Sequence, residues 1–174
     1  MNEKAIQSGL PSGIRPLLPA DQPAIEQWLQ AQWGSTVMVS RGILYHPAEL
    51  PGFVAEDGGE MVGFLTYHLA GEACEVVVIE AIRPFQGIGT RLITAVRQTA
   101  EDAGCRRLWL ITTNDNLPAL RFYQRRGFVL VAVHRHALAR SRQLKPEIPL
   151  IGLDGIPLRD EIELEIILRA EGRI

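Results

Sequence analysis

A mixed α/β sheet, antiparallel in its first half and crossed by helices in its second, is what three features of this sequence predict. The first is a set of apolar runs between residues 52 and 82, "GFVAE", "MVGFLTYHL" and "ACEVVVIEAI", joined by the short turns "DGGE" and "AGE". β-branched and aromatic residues bounded by glycine turns read as three strands of an antiparallel meander. The second is an alternation after residue 87. A helical repeat is followed by the apolar run "RRLWLITT", then by a capped segment "NDNLPALRFYQRRGF", then by "FVLVAVH". Strands separated by helices imply crossover connections and some parallel pairing. The third is the strict alternation of "EIELEIIL" near the C-terminus, the pattern of a final strand with one apolar face.

Taken in order, Met1–Ser12 mixes polar residues with glycine and proline and is expected to be a loose tail. Residues 14–34 read as a short strand and a helix that opens at Ala20–Asp21, with Asp21 as N-cap, and closes near Gly34. Ile25, Trp28 and Leu29 share one face of that helix. "STVMVSRGILYHPAEL" is compatible with strand or loop. After the meander, Ile88, Leu92, Val96 and Ala100 recur at helical spacing, and Gly104 stands as the stop. "RRLWLITT" is apolar on both faces, as a central strand should be. Asn116 caps the next helix, Pro118 is tolerated in its first turn, and Gly127 ends it. "ALARSRQL" suits a short helix, and residues 137–160 as a whole form an irregular insertion before the last strand. No internal repeat is present.

The 174 residues, 47% hydrophobic and 22% charged, suit one domain, spanning 1–174. A net charge of −2 supplies no attraction for nucleic acid or an anionic membrane, and neither is expected as a partner. Cys74 and Cys105 lack metal-type spacing and do not make a disulfide framework. No signal-peptide pattern opens the chain, and no run approaches the roughly 20 apolar residues of a membrane span. A cytoplasmic monomer or homodimer is the expectation.

The chemistry centres on "IRPFQGIGTRLI", residues 82–93, where a strand passes into a helix through Gly87-Ile88-Gly89. A helix N-terminus offers unpaired N–H groups and about half a positive charge. Glycine lets a phosphate approach those donors. Thr90 adds a hydroxyl, and Arg83 and Arg91 add charge. A pyrophosphate is the natural guest, although Gly-x-Gly alone is more often a plain turn. A dinucleotide fold would want a third glycine where Leu92 stands, and an acidic residue about 20 positions on. A Walker A loop would want Gly-Lys-Ser/Thr, which is absent.

The loop together with "NDNLPALRFYQRRGF" resembles the GNAT superfamily of N-acetyltransferases over roughly Ile14–Val133. Asn116, Ala119, Phe122, Tyr123, Gly127 and Phe128 match that family's helix motif. Gly87 and Gly89 match its Q/R-x-x-G-x-G/A loop, but Pro84 occupies the Q/R position and Phe85 stands near the usual extra glycine. The loop thus looks shortened by about two residues, with Arg83 or Gln86 left to make the side-chain contact.

The resemblance implies a centrally splayed sheet and acetyl-CoA as donor. It implies cofactor binding by Ala81, Ile82, Arg83, Gln86, Gly87, Ile88, Gly89, Thr90, Arg91, Asn116 and Tyr123. It also implies that Tyr123 protonates the departing thiolate, whereas alone Tyr123 reads equally well as an amphipathic core aromatic. A base is needed because an alkyl ammonium has a pKa of about 10. Glu75 and Glu80 are the candidates. Their odd separation places them on opposite faces of a regular strand, and family members with a strand glutamate carry it near the position of Glu75. A bulge would reverse that preference. Arg125 and Arg126 suit either a 3′-phosphate or a solvated helix end. Trp28, Trp33, Tyr45 and His46 fall where the family builds its acceptor pocket. His134 and His136 lack a third metal ligand, so no metal is expected. The implied activity is transfer of an acetyl group to a primary amine, on a small molecule or a protein. A non-catalytic acyl-CoA-binding module is the alternative.

Overall fold

The computed structural model describes residues 9–83 and 86–168. Among the described residues, nine strands and four α-helices follow one another: β1 (Ile14–Pro16), α1 (Gln22–Trp33), β2 (Met38–Ser40), β3 (Ile43–Tyr45), β4 (Gly52–Asp57), β5 (Glu60–Ala70), β6 (Ala73–Ala81), α2 (Ile88–Asp102), β7 (Arg107–Thr113), α3 (Leu117–Gln124), β8 (Val129–His134), α4 (Ala137–Leu144) and β9 (Glu161–Ile167). Seven of the strands form one sheet in the order β1-β4-β5-β6-β7-β9-β8. Only the β6–β7 pair is parallel, and α2 supplies the crossover. This is the mixed α/β sheet expected.

The N-terminal helix differs in its entrance. A 3-10 turn over Pro19–Asp21 precedes it, and Asp21 does not cap it. Instead the Asp21 carboxylate accepts from the Leu18 N–H at 2.8 Å and from both terminal nitrogens of Arg15. A neighbouring guanidinium competes successfully for an oxygen that sequence alone would assign to the helix. The stretch compatible with strand or loop is a hairpin, β2–β3. Its turn residues Arg41 and Gly42 both have positive φ, as a two-residue hairpin of this twist requires.

Two apolar clusters flank the sheet. On one side α2 packs Ile88, Leu92, Val96 and Ala100 against Leu65, Cys74, Val76, Leu108 and Leu164. On the other side α1 packs Ile25 and Leu29 against Phe64 and Val78. The alternation of β9 sends Leu164 and Ile166 to the first cluster. Its glutamates point to the opposite face, yet Glu161 and Glu163 are buried there rather than solvated.

The feature that positions the site lies in β6. Its pairing with β5 slips at Val77: Val76 opposes Tyr67 and Val78 opposes Thr66, leaving Val77 as an extra residue. Glu75 opposes His68 and Glu80 opposes Phe64, and these partners are four residues apart on one strand. Glu75 and Glu80 therefore share a face. The opposite-face expectation from simple alternation is corrected by the bulge. At the same level β6 and β7 part, since their pairing runs from Ala73–Arg107 to Val76–Leu110 and stops. Beyond that point β6 stays with β5 and β7 stays with β9. The sheet opens into a V.

Candidate active site

The V leads into a cavity of about 850 Å³. One wall is the free edge of β6, Val76 to Ala81; the other is the end of β7 with Asn116, Phe122 and Tyr123 of the α3 segment. The β2–β3 hairpin contributes Met38 to Ser40, and the segment between α4 and β9 contributes Lys145, Glu147 and Ile148.

At one end stands the α2 N-terminus. Gly87 is its N-cap, with φ 70°, a left-handed conformation that other residues adopt only with strain. The first helical bond is Arg91 N–H to the Gly87 carbonyl at 3.1 Å, so the N–H groups of Ile88, Gly89 and Thr90 precede it without helical acceptors. Gly89 has a second reason to lack a side chain. A Cβ there would lie 2.8 Å from the Phe122 ring, so α2 and α3 touch at this point.

The charged residues of this region are placed differently from expectation. Arg83 turns to the β4–β5 hairpin, where Asp57 (2.9 Å) and Glu60 (2.7 Å) hold it. Arg91 uses its N–H in the helix and donates its guanidinium to the Ser12 carbonyl at 2.6 Å. Gln86 is exposed. Ile82 closes the strand by bonding Val62, while Ala81 borders the cavity. The Pro84–Phe85 portion of the loop lies outside the described residues, as does the tail before Gly9. The cation that stands at the α2 mouth is Arg126. It lies 3.5 Å over the Phe122 ring and donates twice to the Thr90 hydroxyl, at 2.9 and 2.6 Å.

Tyr123 is almost wholly buried, and its hydroxyl has no hydrogen-bond partner among the described residues. Burial, reinforced by the charge of Glu80, raises its pKa above the ordinary value and keeps it protonated. Burial also pushes Glu80 up to about 7. Glu80 lines the cavity.

Glu75 does not line it. Its carboxylate is enclosed, accepting from the Ser40 hydroxyl at 2.5 Å and the Tyr45 hydroxyl at 2.9 Å. Burial raises its pKa, opposed by those two bonds and by His68. It ties the β2–β3 hairpin to the sheet. Trp33 lies on the cavity wall and Tyr45 behind it, while Trp28 is packed with Trp33 and Phe64 in the α1 cluster.

Asn116 caps α3 by accepting from the Ala119 N–H at 3.1 Å and also borders the cavity. Its two predecessors do something that sequence reasoning missed. Asn114 donates to the Pro157 carbonyl and accepts from the Arg159 and Asp160 N–H groups, all at 2.9 Å. Asp115 accepts from Leu153 N–H at 2.8 Å and from Thr113. "NDN" is therefore a strap holding the irregular segment across the cavity; three adjacent short polar residues at a strand end were the available signal. His134 pairs with Glu163 at 2.7 Å. Among the described residues no cluster of three His, Cys, Asp or Glu side chains is arranged to hold a metal, and no helix is long and apolar enough to cross a membrane.

The profile described as the Acetyltransferase (GNAT) family matches residues 15–128. The chain belongs to that family and is an acyltransferase of the N-acetyltransferase type. It is similar to the uncharacterized protein YdhI of Bacillus subtilis (strain 168), 42% identical over 131 residues, 75% of this chain and 82% of that protein. YxbD of the same organism is 36% identical over 152 residues, covering 87% and 96%. Among solved structures, a GNAT family acetyltransferase from Elizabethkingia anophelis with acetyl-CoA bound shares the fold. Its TM-score is 0.62 at 21% identity, covering 91% of this chain and all of that one.

Proposed function

We propose that this protein transfers an acetyl group from acetyl-CoA to a primary amine by direct attack within a ternary complex, with Glu80 as proton acceptor and Tyr123 as proton donor. The observation that carries the reading is the V itself: one cavity is lined by Glu80, Tyr123 and Gly89 of the α2 N-terminus. The residues present fit the cofactor. A glycine N-cap with unpaired donors suits a pyrophosphate, and Arg126 stands beside it for phosphate charge. The free β6 edge offers backbone groups to an amide-bearing arm, and Asn116 borders the same path.

Acetyl-CoA supplies an activated thioester carbonyl. The chain's residues supply the proton traffic and the orientation. A carboxylate titrating near 7 is half ionised at neutral pH, and can take a proton from an incoming ammonium directly or through water. A β6 backbone N–H at the bulge is suited to the carbonyl oxygen as charge develops on it. Tyr123, kept neutral by burial and by Glu80, retains a proton to give the leaving sulfur. Glu75, which the family resemblance favoured, is assigned a positioning role because both of its oxygens are occupied.

The test is CoA thiol release against a broad panel of amines, with mass spectrometry of the product. Acetylated amine supports transfer. Tight acetyl-CoA binding with no acetylated product from any amine supports the non-catalytic module instead.

A further inference from the structure

The end of the cavity away from α2 has an unusual charge balance. Three glutamates alternate on one face of β9, and their neighbours differ. Glu163 is matched by Arg41, Arg107 and His134. Glu161, two residues away, is 1% exposed and lines the cavity, yet forms no ion pair among the described residues. Its oxygens accept only from the Ser141 hydroxyl at 3.1 Å and the Arg41 N–H at 3.2 Å. A buried carboxylate without a counter-charge is costly, and a cationic guest would remove that cost.

Ser40 points to the same kind of guest. A serine hydroxyl has one proton, and here it is committed to Glu75 at 2.5 Å. What Ser40 can show the cavity is lone pairs. Glu147 adds a further carboxylate. The cation on this wall is Lys145, whose Nζ donates to the Val37 carbonyl at 2.9 Å and lies beside Trp33, with Glu147 near it. The polar wall therefore mainly accepts hydrogen bonds, and the guest must donate them.

Register decides how many nitrogens are involved. Glu80 stands on β6, while Glu161 pairs with Thr113 on β7. Both lie beyond the point where the strands part, one on each arm of the V. Resting on the acetyl-transfer reading, we infer that the acceptor is a diamine or polyamine. One nitrogen meets Glu80 and Tyr123, and a second, retained as ammonium, is held across the V by Glu161 and the Ser40–Glu75 pair. A monoamine would leave Glu161 uncompensated, and an amino acid would set a carboxylate against Glu147 and Glu161.

Calorimetric titration with α,ω-diaminoalkanes of graded length, matched n-alkylamines and ω-amino acids tests this, with acetyl-CoA titrated separately. The best diamine should bind about 10–100-fold more tightly than its monoamine, the worth of a charge-assisted hydrogen bond. Glu161→Gln should collapse most of that gap, and Ser40→Ala part of it. Equal affinity for diamines and monoamines, a preference for amino acids, or a gap surviving both substitutions would overturn the inference. Failure of acetyl-CoA to bind would instead sink the transfer reading, while diamine selectivity abolished by Glu161→Gln would leave the ammonium subsite standing.

Discussion

The half of the cavity proposed to hold the cofactor comes from two short stretches, 86–91 and 116–128. The opposite half is gathered from β2, β3, the segment after α4, and β9. In the first half the caps explain themselves locally, Gly87 adopting a left-handed conformation and Asn116 capping its own helix, and the distant contacts run between the two stretches themselves. In the second half no residue makes sense without a distant partner. Ser40 and Tyr45 need Glu75; Leu153 needs Asp115; Glu161 needs Ser141 and Arg41. A motif can be shared widely when its geometry is local. A binding surface assembled from long-range contacts can change with each partner, which is how one donor site serves different acceptors.

The largest expected effect sets one glutamate against another on the same strand. Glu80→Gln should lower kcat/KM by about 10²–10⁴, the usual worth of a general base. It should also remove an acidic limb centred near pH 7. Glu75→Gln should keep that limb. The stability signs can be worked out as well. Because the folded pKa of Glu80 is raised from 4.5 to about 7, native stability falls as pH climbs through that window. Glu80→Gln should therefore be more stable than the parent above pH 7, with the difference fading below 4.5, as read from denaturation midpoints. A limb that persists in Glu80→Gln and vanishes in Glu75→Gln would make Glu75 the base despite the two hydroxyls on its carboxylate.

Tyr123→Phe comes next. It keeps the ring in its cluster and deletes the proton. A thiolate leaves with modest help, so a loss of about 10² in kcat is expected, the low end for acid catalysis, with acetyl-CoA affinity nearly constant. A kcat within about twofold of the parent removes Tyr123 as donor.

These two residues also mark what was readable in the sequence. The sheet, the meander, the crossover helices and the Gly87–Thr90 turn follow from periodicity and glycine placement. Tyr123 follows from a helix motif. That Glu75 and Glu80 share a face did not follow, because a single extra residue at Val77 inverts the parity of everything after it, and no local composition marks the bulge. The burial of Glu161 and Glu163 was equally hidden. Alternation identifies two faces of a strand, but not whether the polar face meets water or another layer. The partners of Arg83 and Arg91 were hidden for a related reason: long cations go to the nearest acceptors, here Asp57, Glu60 and the Ser12 carbonyl.

The strap sharpens the contrast between the halves. Asp115→Ala breaks the bond to Leu153 and leaves a half-buried donor at Thr113 without its acceptor. A loss of about 1–3 kcal/mol in stability is expected, with acceptor KM rising more than acetyl-CoA KM. Asn116→Ala should cost about 1 kcal/mol, the usual worth of a cap, and should act on acetyl-CoA instead. Equal effects of both substitutions on both substrates would mean that the halves are not separable.

The narrowest contrast is between the two glycines, which look alike in the motif and differ in the fold. At Gly89 a Cβ meets the Phe122 ring at 2.8 Å and 2.9 Å. That ring carries Arg126 over its face and lies next to Tyr123 on α3. Gly89→Ala must therefore push α3 outward, an overpacking cost of about 1–3 kcal/mol. At Gly87 no atom lies within 4 Å of the added Cβ, so Ala there costs only the strain of a positive φ, about 1 kcal/mol. Melting temperatures should rank Gly89→Ala below Gly87→Ala. Acetyl-CoA affinity should fall in step with stability at position 89, because the displaced helix carries Asn116 and Tyr123 along with Phe122. If Gly89→Ala instead weakens acetyl-CoA binding at unchanged melting temperature, its methyl is obstructing the phosphate rather than the ring. Gly89 would then belong to the ligand contact, and the α2–α3 contact would not be what requires it.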